Sequence, residues 1–441
     1  MREEITLYER NTDMENKEKG ILRGNAVVGQ SGGPTAAINA TLAGVIRGVI
    51  HARTADPNCG IVRLFGMRNG VDGLLRDDII DLDALFDPAF GGTPADLDTL
   101  ALTPSSGLGS CRKKLPAPGS ADEEAVMGSL LSILKAHDVR YFFYIGGNDS
   151  MDTVAKLSAY ADKQGHEMRV MGVPKTIDND LMGTDHTPGF GSAAKYIAVT
   201  TQEILRDTAV YTVPAVTIIE IMGRDAGWLT ASSALGRLVT GFEPDLVYLP
   251  ERPFIFDEFY EDVAAALKKH PNVVVAVSEG LQCPDGSYVG EGTQSGSVDV
   301  FGHKYLAGTG KALELAVKAK FGCKVRSVEL NLPQRCAAHI VSAQDIEESL
   351  AVGEAAVDAA LCGVSRAMMG LARTGDEPYA YGIGAQNIAD IANRTRCVPD
   401  EFINARGNQV TDACVKYLLP LIRGEMYPEY ENGLPRHYIF R

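Results

Sequence analysis

Short apolar runs alternate with helix-length periodic stretches over most of this chain. NAVVGQ (25–30), YFFYIGG (141–147), RVMGVP (169–174), VTIIEIMG (216–223), DLVYLP (245–250) and NVVVAVSEG (272–280) predict strands. They lack polar alternation and are rich in Val, Ile, Tyr and Phe, as strands covered on both faces are. Between them, periodic stretches predict helices over 35–50, 150–163, 191–207, 257–269 and 306–320. Strand–helix alternation punctuated by glycine predicts an α/β fold with open, mostly parallel sheets flanked by helices and joined by right-handed crossovers. Residues 86–120, rich in Pro, Gly and Ser, read as an irregular surface excursion carrying Arg112. The last ~60 residues read as polar and helical, a layer added outside the main sheets. No repeat at solenoid periods appears.

Bulk numbers narrow the partners more than the fold. At 441 residues the chain exceeds one typical domain, so two lobes are expected. Hydrophobic residues make up 45% and charged residues 22%, enough for a sizeable core in an ordinary globular protein. A formal charge of −15 argues against nucleic acid or an anionic membrane as partner, so a phosphate ligand needs a basic pocket set into an acidic surface. No stretch reaches the ~18 apolar residues of a membrane span. The polar start, MREEITLYERNTDMENKEKG, lacks an apolar signal core and reads as a solvated arm or an oligomer contact. The eight cysteines are scattered without a C-x-x-C pair, and are expected to be reduced, buried, small apolar side chains in a cytosolic protein.

The chemically loaded segments follow the predicted strands. Q-S-G-G follows the first, G-G-N-D-S the 141–145 run, P-K-T-I-D-N-D the 169–173 run, M-G-R the 216–221 run and E-G the 273–278 run. Open parallel sheets bind ligands at the carboxyl ends of their strands, so five such segments are expected to share one edge. Gly32–Gly33 precede a helix predicted to start near Thr35, where free N–H groups suit an anion; Gly146–Gly147 follow the same logic. Such turns are also common without ligands. G-T-G-K (308–311) is not a P-loop, because the upstream glycine spacing is missing and Ala312 stands where Ser or Thr belongs.

The T-I-D-N-D segment is more specific. Asp178 and Asp180 beside Thr176 and Lys175 can orient a hydroxyl, accept its proton and organise hydrated magnesium. A solvated Asx-rich turn is the alternative, disfavoured by the lysine and the glycine turn upstream. Arg224, Arg112, Arg326 and Arg335 each read, alone, as surface ion pairs. Glu279, after a strongly apolar strand, is placed to accept sugar hydroxyl hydrogen bonds. Base, cation and phosphate cradle together point to phosphoryl transfer on phosphorylated metabolites.

With S-G-G, G-S-C-R, G-G-N-D-S, P-K-T-I-D-N-D, M-G-R, S-E-G and P-Q-R in this order, the chain resembles the phosphofructokinase family over roughly residues 24 to 385. The resemblance implies a two-domain α/β fold transferring phosphate to the 1-hydroxyl of fructose 6-phosphate. It divides the chain into a polar arm (1–23), a donor-phosphate domain (24–190 plus about 336–385), a sugar-phosphate domain (191–335) and a C-terminal extension of extra helices (386–441). By resemblance Asp178 is the general base, Thr176 and Asp178 line the sugar end with Asp180 close by, Met222, Gly223 and Arg224 hold the substrate, and Glu279 takes its hydroxyls. Arg335 matches the arginine gripping the 6-phosphate and Arg326 one lent by a neighbouring subunit, implying a dimer or tetramer with a shared site. Gly33, Arg112, Gly147 and Lys175 match donor-phosphate contacts; Asn148 and Asp149 match the place of the magnesium ion. A cytoplasmic location is implied.

The donor follows from two positions. ATP-dependent members carry glycine where Asp149 and Lys175 stand. In a low-dielectric cleft Asp149 would exclude an ATP α-phosphate by bulk and like charge, at several kcal/mol, and Lys175 would stabilise the transferring phosphates instead. This pair marks the pyrophosphate-dependent branch: pyrophosphate plus fructose 6-phosphate giving orthophosphate plus fructose 1,6-bisphosphate, reversibly and without strong allosteric control. Three positions depart from the family pattern. Asn148 replaces a magnesium-binding aspartate, Leu332 a His or Tyr before the phosphate-gripping arginine, and Ala215 a second subunit-crossing arginine. Acceptor specificity is therefore open, to a seven-carbon sugar phosphate for instance. An ATP-dependent enzyme is disfavoured by Asp149 and Lys175, and a non-catalytic regulatory subunit by the presence of Asp178 and Asp180.

Overall fold

The computed structural model describes residues 22–291 and 308–440. All but the last two residues of the polar arm, and the first residues of the helix expected from 306, lie outside the described residues. In chain order the strands are β1 (Gly24–Gln30), β2 (Ile61–Met67), β3 (Ile79–Asp81), β4 (Val139–Gly146), β5 (Arg169–Pro174), β6 (Ala215–Ile221), β7 (Leu246–Tyr248), β8 (Asn272–Ser278), β9 (Lys324–Glu329), β10 (Ala367–Asp376) and β11 (Tyr379–Asn387). The main helices are α1 (Ile38–Ala55), α2 (Glu123–Ala136), α3 (Asn148–Lys163), α4 (Phe190–Thr208), α5 (Phe256–Lys269), α6 (Thr309–Phe321) and α7 (Ala343–Leu361).

Two sheets result. The larger has the order β11-β10-β5-β4-β1-β2-β3, parallel from β2 through β10 and antiparallel at both edges. The smaller, β7-β8-β6-β9, is parallel throughout. Alternate residues of one strand feed opposite cores: Tyr141, Phe143 and Ile145 pack on one face of the larger sheet, Phe142 and Tyr144 on the other. Two-sided burial explains why the six apolar runs read without polar alternation. On one face α1 lies against α7 at backbone distance; a β-carbon on Gly44 would sit 2.1 Å from the Leu350 carbonyl oxygen, so only glycine fits.

Three expectations change. Residues 86–120 are not merely a surface excursion, because Leu97, Leu100, Leu108, Cys111 and Leu115 are all buried. The extension beyond 386 is less helical than expected: among the described residues it holds one α-helix (Asp412–Leu418), three 3-10 turns and short strand pairs. It is held instead by aromatic docking. Trp228, fully buried, donates from Nε1 to the Arg396 carbonyl at 3.0 Å, with Phe402 and Tyr417 against its ring. Finally, only Cys111 and Cys414 are buried; the eight thiols are free, and Cys336, Cys362 and Cys397 are exposed. Small size lets a cysteine be buried but does not require it.

Candidate active site

Strand order in the larger sheet reverses between β1 and β4, and the crevice there is where such a sheet binds ligands. Gln30 pairs with Ile145 at the ends of these strands, so the turn Ser31–Gly32–Gly33 and the turn Gly146–Gly147 lie side by side. Gly32 has φ +77, which glycine alone adopts without strain, and a β-carbon there would stand 3.3 Å from Lys175 Nζ. The helix expected near Thr35 begins only at Ile38, since Pro34 and the bends after it interrupt the backbone. Gly33 therefore offers turn N–H groups rather than a helix end. At the second turn α3 starts directly after Gly147, so its N-terminal partial positive charge faces the crevice.

Lys175 continues β5, whose Pro174 pairs with Gly146, and its N–H bonds the Gly146 carbonyl at 3.0 Å. The side chain is buried, and Nζ donates to the Gly33 carbonyl at 2.6 Å. Burial pulls this ammonium down to about 8; Asp178 and Asp180 work against that, while Arg335 and Arg112 add to it. Both arginines thus act electrostatically on the same spot. Arg335 also lies on the donor turn, its Nη1 3.7 Å from where a Gly33 β-carbon would be. Arg112 itself is exposed.

Asp149 corrects one step of the electrostatic argument. It sits in the first turn of α3 but is half-exposed, and pairs with Lys114 at 3.5 Å. A charge 4 Å from a phosphate is worth between about 1 kcal/mol in water and about 4 kcal/mol near a protein surface, and half-exposure and the Lys114 pair move Asp149 toward the lower figure. Exclusion of a nucleotide at this position therefore rests on bulk as well as on a weakened charge. Beside it, Asn148 Oδ1 is buried without a hydrogen-bond partner, an orphaned acceptor that suits an oxygen-binding cation. Among the described residues no group of three or more His, Cys, Asp or Glu is arranged to hold a metal.

The carboxylates form the opposite wall. Thr176 Oγ1 accepts from the Asp178 N–H at 3.1 Å and lies 3.4 Å from Asp178 Oδ2. Asn179 between the aspartates is left-handed (φ 55), and its Oδ1 accepts from the Thr187 N–H at 3.0 Å, which folds the loop back on itself. Burial raises Asp178, opposed by Lys175 and Thr176; burial and then Asp178 raise Asp180 to about 7. From the smaller sheet Glu279, after β8, accepts the Gly223 N–H at 3.3 Å and is pushed by burial up to about 7, with Asp178 adding to the rise. Arg224 and Asp225 act on Asp178 as well, so the M-G-R segment faces the aspartates. Such a cluster of raised acids is poised to exchange protons with a hydroxyl.

Sequence reasoning missed three contributors. Gln334, buried inside P-Q-R, accepts the Met222 N–H through Oε1 at 3.1 Å and sets that segment against Arg335. Lys114 is the partner of Asp149. Ser278 donates from Oγ to the Gly223 carbonyl, shaping the M-G-R turn. A polar residue fixed between two motif positions is the signal that would have found Gln334. Arg326 is not brought to the cluster: its register partner on β6 is Thr217, four residues before that strand's end, and it is exposed with Asp207 at 3.8 Å. G-T-G-K is confirmed as no phosphate site, because the Glu220 carboxylate already accepts the Gly308 and Gly310 N–H groups at the start of α6.

A charged core stands behind the 176–189 loop. The buried His186 ring bridges Asp185 (2.9 Å) and Glu348 of α7 (2.7 Å), while Arg373 of β10 reaches Asp185 at 3.3 Å. Despite burial, the two carboxylates hold His186 up at about 9. A folded-state value above the ordinary 6.5 means this contribution is complete below pH 6.5 and lost as pH rises through 9. The thermal unfolding midpoint should therefore fall by several degrees between pH 7 and 9.5, and His186→Gln should flatten that dependence. Parallel pH profiles for parent and variant would refute the bridge.

The phosphofructokinase family model matches residues 25–358. The chain is 40% identical to the pyrophosphate–fructose 6-phosphate 1-phosphotransferase of Halomonas elongata over 414 residues, 93% of this chain and 95% of that one. It is likewise 40% identical over 414 residues to the enzyme of that name in Methylococcus capsulatus, covering 93% of this chain and 94% of the other. Among solved structures, pyrophosphate-dependent phosphofructokinase from Nitrosospira multiformis superposes with a TM-score of 0.82 at 37% identity, covering 94% of this chain and 96% of that one.

Proposed function

This chain belongs to the phosphofructokinase family, and we propose that it moves a phosphoryl group reversibly between pyrophosphate and the 1-hydroxyl of fructose 6-phosphate. One observation carries the reading: a buried ammonium, Lys175, stands between the Gly33 turn and Asp178 in the crevice of the larger sheet. A short inorganic donor held on the two glycine turns would meet that cation directly. The 1-hydroxyl, oriented by Thr176 and Asp178, attacks the terminal phosphorus in line. A new P–O bond forms, the bridging P–O bond breaks, orthophosphate leaves, and the hydroxyl proton passes to Asp178. Lys175, Arg112 and the turn N–H groups balance the charge that develops.

The sugar end is assigned to Asp180, Met222, Gly223, Arg224, Glu279 and Arg335. Arg335 reaches back to the donor turn and thereby spans both substrates. Magnesium is assigned to Asn148 Oδ1 and Asp149, with phosphates and water completing its shell; it would neutralise the donor's charge. The donor domain is taken as 24–190 plus about 336–385 and the sugar domain as 191–335, in line with the two sheets. Arg326, exposed on the edge strand β9 and away from the cluster, suits a residue lent to a second copy, so a homo-oligomer is proposed. Among the described residues no helix is long and apolar enough to cross a membrane. Eight free thiols support a cytoplasmic setting. The test is fructose 6-phosphate with magnesium and either pyrophosphate or ATP, following bisphosphate formation. Product is expected with pyrophosphate; preference for ATP would overturn the donor assignment.

A further inference from the structure

Arg112 directly follows a loop, residues 103–111, that is fastened at both ends and along its inner side. At the Arg112 end the Gly32 N–H bonds the Cys111 carbonyl at 3.0 Å, and Ser110 Oγ bonds the Gly32 carbonyl. Along the inner side the fully buried Gln30 and Asn39 side chains accept the Leu108 and Gly107 N–H groups, both at 2.9 Å. The far end and outer side are covered from a distant part of the sequence. The Tyr438 N–H donates to Thr103 Oγ1 at 2.8 Å, and the Phe440 ring lies over Gly107, 2.7 Å from where a β-carbon would be. Both rings also pack on Phe86, at 5.1 and 6.1 Å between centroids.

We infer that Tyr438 and Phe440 form a strap that positions the Arg112 loop against the donor-phosphate turn, making them positioning residues for the donor substrate. The inference rests on the reading of Arg112 as a donor-phosphate contact. Gly107 has no side chain with which to hold itself, and the aromatic cover takes the place of one. Without the rings, the 103–107 half of the loop keeps its hydrogen bonds, among them Ser105 N–H to the Thr35 carbonyl, Gly107 N–H to Asn39 and the Tyr438 backbone N–H to Thr103, but loses the packing that covers its outer side. The Gly32 bonds still hold the Arg112 end, but with the far half uncovered the loop is less rigid and Arg112 is aimed less closely at the donor, while the sugar wall, built from other elements, is untouched.

Steady-state kinetics on the full chain carrying Tyr438→Ser and Phe440→Ser together test this. The KM for pyrophosphate should rise about three- to tenfold, with kcat and the KM for fructose 6-phosphate within about twofold of the parent. In an Arg112→Ala background the same ring removal should change the pyrophosphate KM less than about twofold, since the strap acts through that arginine. Phe440→Tyr, which keeps a ring over Gly107, should behave as the parent; should the double variant not fold, Phe440→Ser alone carries the test. An unmoved pyrophosphate KM, equal changes for both substrates, or the same change with and without Arg112 would overturn the strap. A parent enzyme that ignores pyrophosphate would sink the donor reading instead, and the strap would then be judged on the KM of the nucleotide donor.

Discussion

Replacing Asp178 with Asn should lower kcat by about 10²–10⁴-fold while the protein folds as before. Within the cluster this carboxylate is the one hydrogen-bonded to Thr176 while also acting on Lys175, which places it best to take the hydroxyl proton. Folding should not suffer, because the substitution removes a buried negative charge from a neighbourhood that also holds Asp180, Asp225 and Glu279. A thermal midpoint equal to or above the parent's, with turnover nearly gone, is the expected pair of readings. The parent's pH profile carries the same signature. On the acid side kcat/KM falls as Asp178, raised by burial, takes up a proton; on the basic side it falls as Lys175 loses one near 8. Turnover within tenfold of the parent in the Asp178→Asn variant would remove the aspartate from the base role.

How much of this was legible in the sequence depends on how each part is held. The six apolar runs became strands because helices and loops cover both faces of each sheet, and two-sided burial writes itself as an unbroken apolar stretch. Strand β9, KVRSVE, left no such mark: it is an edge strand with alternately exposed residues, and Lys324, Arg326 and Glu329 all reach solvent. The β10–β11 hairpin was missed for a related reason, since polar and glycine positions interrupt both strands where only β5 flanks the pair. Site residues were readable where the loop after a strand carries them, as in Lys175 to Asp180 after β5. Gln334 and the Tyr438–Phe440 strap were not, because each acts on a segment more than a hundred residues away and local pattern holds no trace of such a contact. Asp149 was found, but its exposure was misjudged; a helix N-terminus at a crevice mouth looks the same in sequence whether buried or open.

That exposure separates the two halves of donor choice, and single variants should expose the separation. Lys175→Gly alone should cut kcat/KM for pyrophosphate by about 10²–10³-fold, the usual loss when a preorganised charge facing a transferring group is removed. Its Nζ is buried beside the Gly33 carbonyl and opposite Asp178, so no water-filled substitute brings a fixed positive charge to the same place. Asp149→Gly alone should cost pyrophosphate turnover less than Lys175→Gly does, because this carboxylate is half in solvent and partly neutralised by Lys114, and Asn148 remains for the magnesium ion. What it removes is bulk at the start of α3, together with the magnesium contact assigned to it. The double variant, lacking both the obstacle and the cation, should lose pyrophosphate use at least as far as Lys175→Gly and gain measurable phosphorylation from ATP. Donor-resolved kinetics on the three proteins decide it: pyrophosphate activity surviving in Lys175→Gly would detach the lysine from catalysis, and absence of any ATP reaction in the double variant would mean that something other than Asp149 closes the nucleotide pocket.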